Sequence, residues 1–182
     1  MIIRQAKLDD WKGIAHVHVD CLHSAYSETL PSNTLEKFTY IDREKRWQKD
    51  LQKSINGGTM TYVAEDQNNE IVGFALGGTM RDARLRIKYT GEIYGLYVHP
   101  DYQGQGLGKK LFESVAEHLA SVHFSSMALW TFGNLDSCSF FKHLAGQQVY
   151  EKKTTVGGKE LVEYAYGWDD INSLTVLSED LN

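Results

Sequence analysis

The chain has 182 residues, 42% of them hydrophobic, 12% aromatic and 24% charged, which is enough to bury one sizeable core and argues against both disorder and a second domain. Its formal charge is −5 and its basic residues are scattered, so the electrostatic footprint of a nucleic-acid binder is missing, while a cationic substrate is tolerated. No run approaches the roughly 20 apolar residues of a membrane span, "MIIRQAKLDDW" has no apolar stretch of signal-peptide length, and Cys21 and Cys138 form no CxxC pair, so the reading is a cytoplasmic protein with reduced thiols and neither disulfide nor metal.

In chain order, "MIIRQA" is a short β-type run. "LDDWKGIAHVHVDCLHSAY" carries Trp11, Ile14, Ala15 and Leu22 at near-helical spacing behind an Asp-rich start and predicts a helix. "TLPSN" breaks it, and "NTLEKFTYIDREKRWQKDLQKSI" predicts a second helix or a broken helix pair that ends at "NGG". The period then becomes that of strands. "TMTYVAED" and "EIVGFALGG" flank the polar "QNNE" as a hairpin, "EIYGLYV" is a third strand, and "MALWTF" follows a helix over residues 106–122. "DSCSFFKHLAG" is a short helix closed by Gly146, and the last hairpin turns at Gly157 and Gly158. We expect one domain over residues 1–170 and an acidic tail over residues 171–182, unpacked after Trp168.

The stretch "YVHPDYQGQGLGKKL" places Gly104, Gly106 and Gly108 at alternate positions just before an amphipathic helix carrying Leu107, Leu111, Val115, Leu119 and Val122 on one stripe. A helix that starts there offers unpaired N–H groups and a positive dipole end, and glycines let an anion reach the backbone. A phosphate cradle and a plain Gly-rich turn are both compatible with this. A P-loop fails at Gln103 and Lys110, and a dinucleotide fingerprint fails at Lys109.

The remaining pattern, Gln103-x-x-Gly106-x-Gly108 past "GLYVHPDY", resembles the (Q/R)-x-x-G-x-(G/A) motif of the Gcn5-related N-acetyltransferase family, and the element order resembles that family's over nearly the whole chain. The resemblance implies an α/β (α+β) fold with a mixed, mostly antiparallel central sheet flanked by helices. It implies acetyl-CoA as cosubstrate and a small-molecule or peptide amine as acceptor; composition and charge add the expectation of no metal and no nucleic-acid or membrane partner, and a homodimer stays an open alternative. By the same resemblance, Leu96, Tyr97 and Val98 lie along the pantetheine arm, with one of their amides as oxyanion donor. Gln103, Gly104, Gln105, Gly106, Leu107, Gly108 and Lys109 hold the pyrophosphate, with the Lys109 side chain open between phosphate contact and solvated helix residue.

An amine with a pKa near ~10 must lose a proton before it attacks a thioester. Glu92, opening "EIYGLYV", is where members of the family keep a carboxylate for this; the plain reading is a solvated strand-end charge. In the family pattern N-x-x-A-x-x-(F/L)-Y, Asn134 matches the residue that contacts the coenzyme arm, and Phe141 stands where the general-acid tyrosine is expected. A phenyl ring donates no proton. The acid is then water, Ser137, Ser139 or Tyr97, and Phe141 also keeps open a non-catalytic acyl-CoA-binding module. Cys138 reads as a small helix residue, and His16, His18, Cys21 and His23 as satisfied or solvated side chains rather than metal ligands. The family's acceptor wall falls on Tyr26, Trp47, Tyr164 and Trp168, with core packing an equal reading for Trp47.

Overall fold

The computed structural model describes residues 1–133 and 135–174, without the side chains of Ile55 and Asn56. Strands β1 (Ile2–Gln5), β2 (Met60–Glu65), β3 (Ile71–Thr79), β4 (Gly91–Val98), β5 (Met127–Phe132), β6 (Gln147–Val156) and β7 (Lys159–Trp168) are joined by helices α1 (Trp11–Tyr26), α2 (Ser32–Leu35), α3 (Tyr40–Gly57), α4 (Leu107–Ser121) and α5 (Ser137–His143). The seven strands make one sheet in the order β1-β2-β3-β4-β5-β7-β6. Pairing is parallel between β4 and β5 and antiparallel in β1–β2, β5–β7 and β6–β7. The chain divides into two compact units, Met1–Leu76 with Gly95–Phe112 and Gly77–Tyr94 with Glu113–Asn182.

In the first unit, Arg4 on β1 bonds both carboxylate oxygens of Asp10 at 2.7 and 2.9 Å and reaches Glu65 at 2.7 Å, so the entry to α1 is tied to the β1–β2 pair. Gly13 lets α1 lie close, because a Cβ there would stand 2.8 Å from Ile71. The break between α2 and α3 is set by Thr39, whose hydroxyl accepts the Asp42 N–H at 3.2 Å as an N-cap, and α3 ends on Gly58 in the left-handed region. Ile14, Ala15, Val17, Trp47, Leu51, Val63 and Phe74 form the core of this unit.

In the second unit, Met80, Leu85, Tyr89, Ala128 and Ala165 cluster as a core. Leu119 of α4 packs where Gly91 leaves room, a Cβ at Gly91 meeting its side chain at 3.1 Å. Val122, expected on the buried stripe, is 48% exposed because α4 ends at Ser121 and His123 turns the chain at φ 69°. The packed chain also extends beyond Trp168. Ile171 is fully buried and its N–H donates to the Ser125 carbonyl at 3.0 Å, while Asp169 accepts from the Tyr89 hydroxyl at 2.9 Å. Part of the expected tail is therefore core; the rest, residues 175–182, lies outside the described residues.

Candidate active site

The glycine-rich turn is built by local bonds on both sides. His99 N–H donates to the Val72 carbonyl at 2.9 Å, fixing the exit of β4 against β3. A 3-10 turn over Pro100–Tyr102 follows, with the His99 ring accepting the Asp101 N–H at 3.3 Å. The Tyr102 hydroxyl reaches Asp66 at 3.3 Å, and Asp66 is itself gripped by the N–H groups of Glu70 and Asn68 at 2.9 and 2.8 Å, which hold its carboxyl below the usual range. The Gln103 amide donates to the Val98 carbonyl at 2.9 Å, bracing the turn to β4.

Gly104 and Gly106 then lie at φ 72° and 76°. No heavy atom comes within 4 Å of a Cβ built at either position, so backbone conformation, not crowding, asks for glycine here. Residues 103–106 are all exposed, and α4 begins at Leu107, with the Lys110 N–H closing on the Gly106 carbonyl at 3.2 Å, so the amides ahead of it find no acceptor within the helix itself. An open concave backbone at a helix start, with Lys109 and Lys110 exposed beside it, fits a coenzyme pyrophosphate.

On β4, the Val98 carbonyl already accepts the Gln103 amide and the Cys21 thiol, the latter at 3.2 Å. Tyr97 stacks on Phe74 at 5.0 Å and lies 4.7 Å from the His18 ring, and burial pushes its hydroxyl above the ordinary tyrosine range. It is a protonated donor at neutral pH. Trp47 is 7% exposed, sits in the core and donates its N–H to His18 Nδ1 at 3.0 Å. Its ring is taken up by packing in the core of this unit. Burial, and then the charges of Arg43 and Arg46, push His18 down to about 3, so its ring is neutral, with Nδ1 accepting.

In the second unit, Glu92 is buried at 4% exposure. Its carboxylate accepts the Arg81 backbone N–H at 2.8 Å and the Arg81 guanidinium at 2.7 and 3.3 Å. That guanidinium lies 3.6 Å over the Tyr94 ring, and the Tyr94 hydroxyl donates to the Thr79 carbonyl at 2.7 Å. The solvated strand-end reading of Glu92 is thus wrong: it is a buried, ion-paired carboxylate. Arg81 was not anticipated. It lies just past the end of β3 at Thr79, in the connection to β4, where no sequence period brings it to Glu92.

On α5, the Ser137 hydroxyl is engaged with Thr131 at 2.7 Å, and the Cys138 thiol donates to the Phe132 carbonyl at 3.4 Å. Phe141 is buried beside Phe140, Tyr166 and Trp168, at ring distances of 5.2, 6.0 and 6.3 Å. Trp168 is 4% exposed and donates to the Leu144 carbonyl at 2.7 Å, so it too is core. Tyr164 pairs with Thr131 and leans on Gly133, and Tyr26 ends α1. Asn134 lies outside the described residues. The histidine cluster disperses to separate partners: His16 to Glu44 at 2.7 Å, His18 to Trp47, and His23 to the Phe38 carbonyl at 3.0 Å. Among the described residues no group of three or more such side chains could hold a metal ion, and no helix is long and apolar enough to cross a membrane.

Comparison with known proteins bears on the family and the fold. The model of the acetyltransferase (GNAT) family matches residues 20–146. YuaI of Bacillus subtilis, described as an uncharacterized N-acetyltransferase, is 34% identical over 175 residues, covering 96% of both chains. The ribosomal-protein-alanine N-acetyltransferase of Brucella melitensis shares the fold at a TM-score of 0.71 and 20% identity, over 92% of this chain and 99% of its own. So does yncA of Salmonella typhimurium, solved with acetyl-CoA, at a TM-score of 0.69 and 23% identity over 92% of each chain.

Proposed function

The chain belongs to the acetyltransferase (GNAT) family and is an acetyl-CoA-dependent N-acetyltransferase, and we propose that it acetylates a primary amine by direct attack within a ternary complex. The observation that carries this reading is the exposed turn at the head of α4, where Gly104 and Gly106 hold the left-handed backbone that an anion cradle needs. The backbone of residues 103–108, with Lys109, holds the pyrophosphate; Leu96, Tyr97 and the Val98 amide hold the pantetheine arm. The coenzyme, when bound, supplies an acetyl thioester.

The acceptor arrives as an ammonium, since its pKa is near ~10. Glu92 takes that proton, directly or through water, and the freed nitrogen bonds to the acetyl carbon as the carbon–sulfur bond breaks. The nitrogen then gives up its second proton, by way of water, to the group that protonates sulfur. A thiol titrates near ~8.5, so its anion departs tolerably without a strong acid. Tyr97, kept protonated by burial, or water returns the proton to sulfur. The Ser137 hydroxyl, bonded to Thr131 at 2.7 Å, is a further candidate for this donor. Positioning and an oxyanion donor on β4 supply most of the acceleration. A reducing compartment such as the cytoplasm suits the two free thiols.

The test is thiol release from acetyl-CoA against a panel of primary amines, with Glu92→Gln alongside. Release with at least one amine is expected, and a loss of about 10²–10⁴ in rate is expected for the variant, as for removal of a general base. Tight coenzyme binding with no release for any amine would leave only a binding module.

A further inference from the structure

Glu92 and Arg81 make an asymmetric pair. The Glu92 side chain is 6% exposed, whereas that of Arg81 is 61% exposed. An arm lying largely in water thus closes onto a carboxylate held inside. Everything else at that point is fixed independently of the Arg81 side chain. The carboxylate keeps the Arg81 backbone N–H at 2.8 Å, and the Tyr94 ring is anchored through its hydroxyl on the Thr79 carbonyl at 2.7 Å. Gly78 leaves room for that ring, since a Cβ there would stand 2.7 Å from the Tyr94 hydroxyl.

A buried carboxylate beside an aromatic face is a seat for an organic cation, because the two attractions add where water is thin. We infer that this seat receives the ammonium of the acceptor, and that Arg81 is an internal stand-in which the acceptor displaces. The inference rests on the reading that Glu92 accepts the acceptor's proton, and it deepens that reading by naming the substrate class. Emptying the seat would strand a buried charge, which is strongly unfavourable, but exchanging one cation for another is not. The arginine side chain loses little on returning to water, being mostly hydrated already. Acceptors that arrive charged, aliphatic primary amines above all, are therefore favoured over weakly basic aromatic amines that arrive neutral.

The probe is ethylguanidinium chloride, titrated into the purified full chain by calorimetry. Arg81→Ala vacates the seat and should bind the probe about ten- to a hundredfold more tightly than the unaltered chain, the range for one charged hydrogen-bonded partner. Adding Glu92→Gln to that variant should abolish the gain. Should Arg81→Ala fail to fold around the unpaired carboxylate, Arg81→Lys serves. Its ammonium lacks the fork and the stacking surface, so the probe should again bind several-fold more tightly than in the unaltered chain. Equal affinity in the unaltered chain and the folded Arg81 variant, or a gain that survives Glu92→Gln, overturns the proposal. The readout is binding, so failure of the seat is seen apart from failure of acetyl transfer.

Discussion

His18 is a side chain whose charge the fold controls strongly. It is packed against Trp47, Phe74 and Tyr97, and burial followed by Arg43 and Arg46 holds it at about 3. In the unfolded chain it titrates near ~6.5. The folded value is the lower one, so between the two the unfolded chain binds the extra proton. Stability fully present above pH ~6.5 is then lost as the pH falls towards 3, with a slope of up to about 1.4 kcal/mol per pH unit. His18→Asn keeps an acceptor for the Trp47 N–H and should remove that part of the slope. Urea midpoints taken between pH ~7 and ~4 check it, and equal slopes in the two proteins would contradict it. Single-residue roles were only partly legible. Glycines and a carboxylate announce themselves by type, but the partner of Glu92 does not, because Arg81 sits in the charged connection "MRDARLRIKY", where no period fixes which side chain turns back. Trp47 carried both a core and a wall reading because an amphipathic pattern gives the buried face of a helix without naming what covers it.

At the scale of elements, the junction between α5 and β6 shows two neighbouring residues meeting different demands. The sequence pointed to Gly146 as the conformational stop, yet the left-handed residue is Ala145 at φ 61°. Gly146 is required for space: a Cβ there would stand 2.6 Å from the Trp168 ring and 2.8 Å from the Phe141 carbonyl oxygen. Gly146→Ala should therefore destabilise the chain by about 1–3 kcal/mol, the usual cost of overpacking, measured by chemical denaturation; an unchanged midpoint would mean that this junction yields freely. Helix and strand identities were far more legible than such junctions. β5 runs over Met127–Phe132, the very residues of "MALWTF", and the start of α2 at Ser32 follows from Pro31 in the "TLPSN" break. Propensity and period act locally and so can be read locally, whereas a steric demand set by Trp168 on Gly146 crosses the last hairpin and leaves no local mark.

For the molecule as a whole, the order of elements followed from the switch between helical and strand periods and from turn residues such as Gly157 and Gly158, both at positive φ. The end of the packed chain did not follow. Asp169 and Asp170 look like the start of a solvated tail, but Ile171 behind them is fully buried, and one apolar residue beyond an acidic pair is too weak a signal to be read in advance. Family and chemistry rest on a different kind of legibility, a short motif whose backbone conformation the structure then supplied. The claim to test is that the exposed amides at the head of α4 grip the coenzyme. Gly108 lies in the first turn of α4, where a glutamate favours the helix, so Gly108→Glu puts a negative charge at the cradle without threatening the fold. Calorimetric titration of acetyl-CoA should show binding to the unaltered chain and a loss of at least about a hundredfold in the variant, more than 2 kcal/mol, with the circular dichroism of both proteins the same; equal affinity in the two proteins would contradict the account.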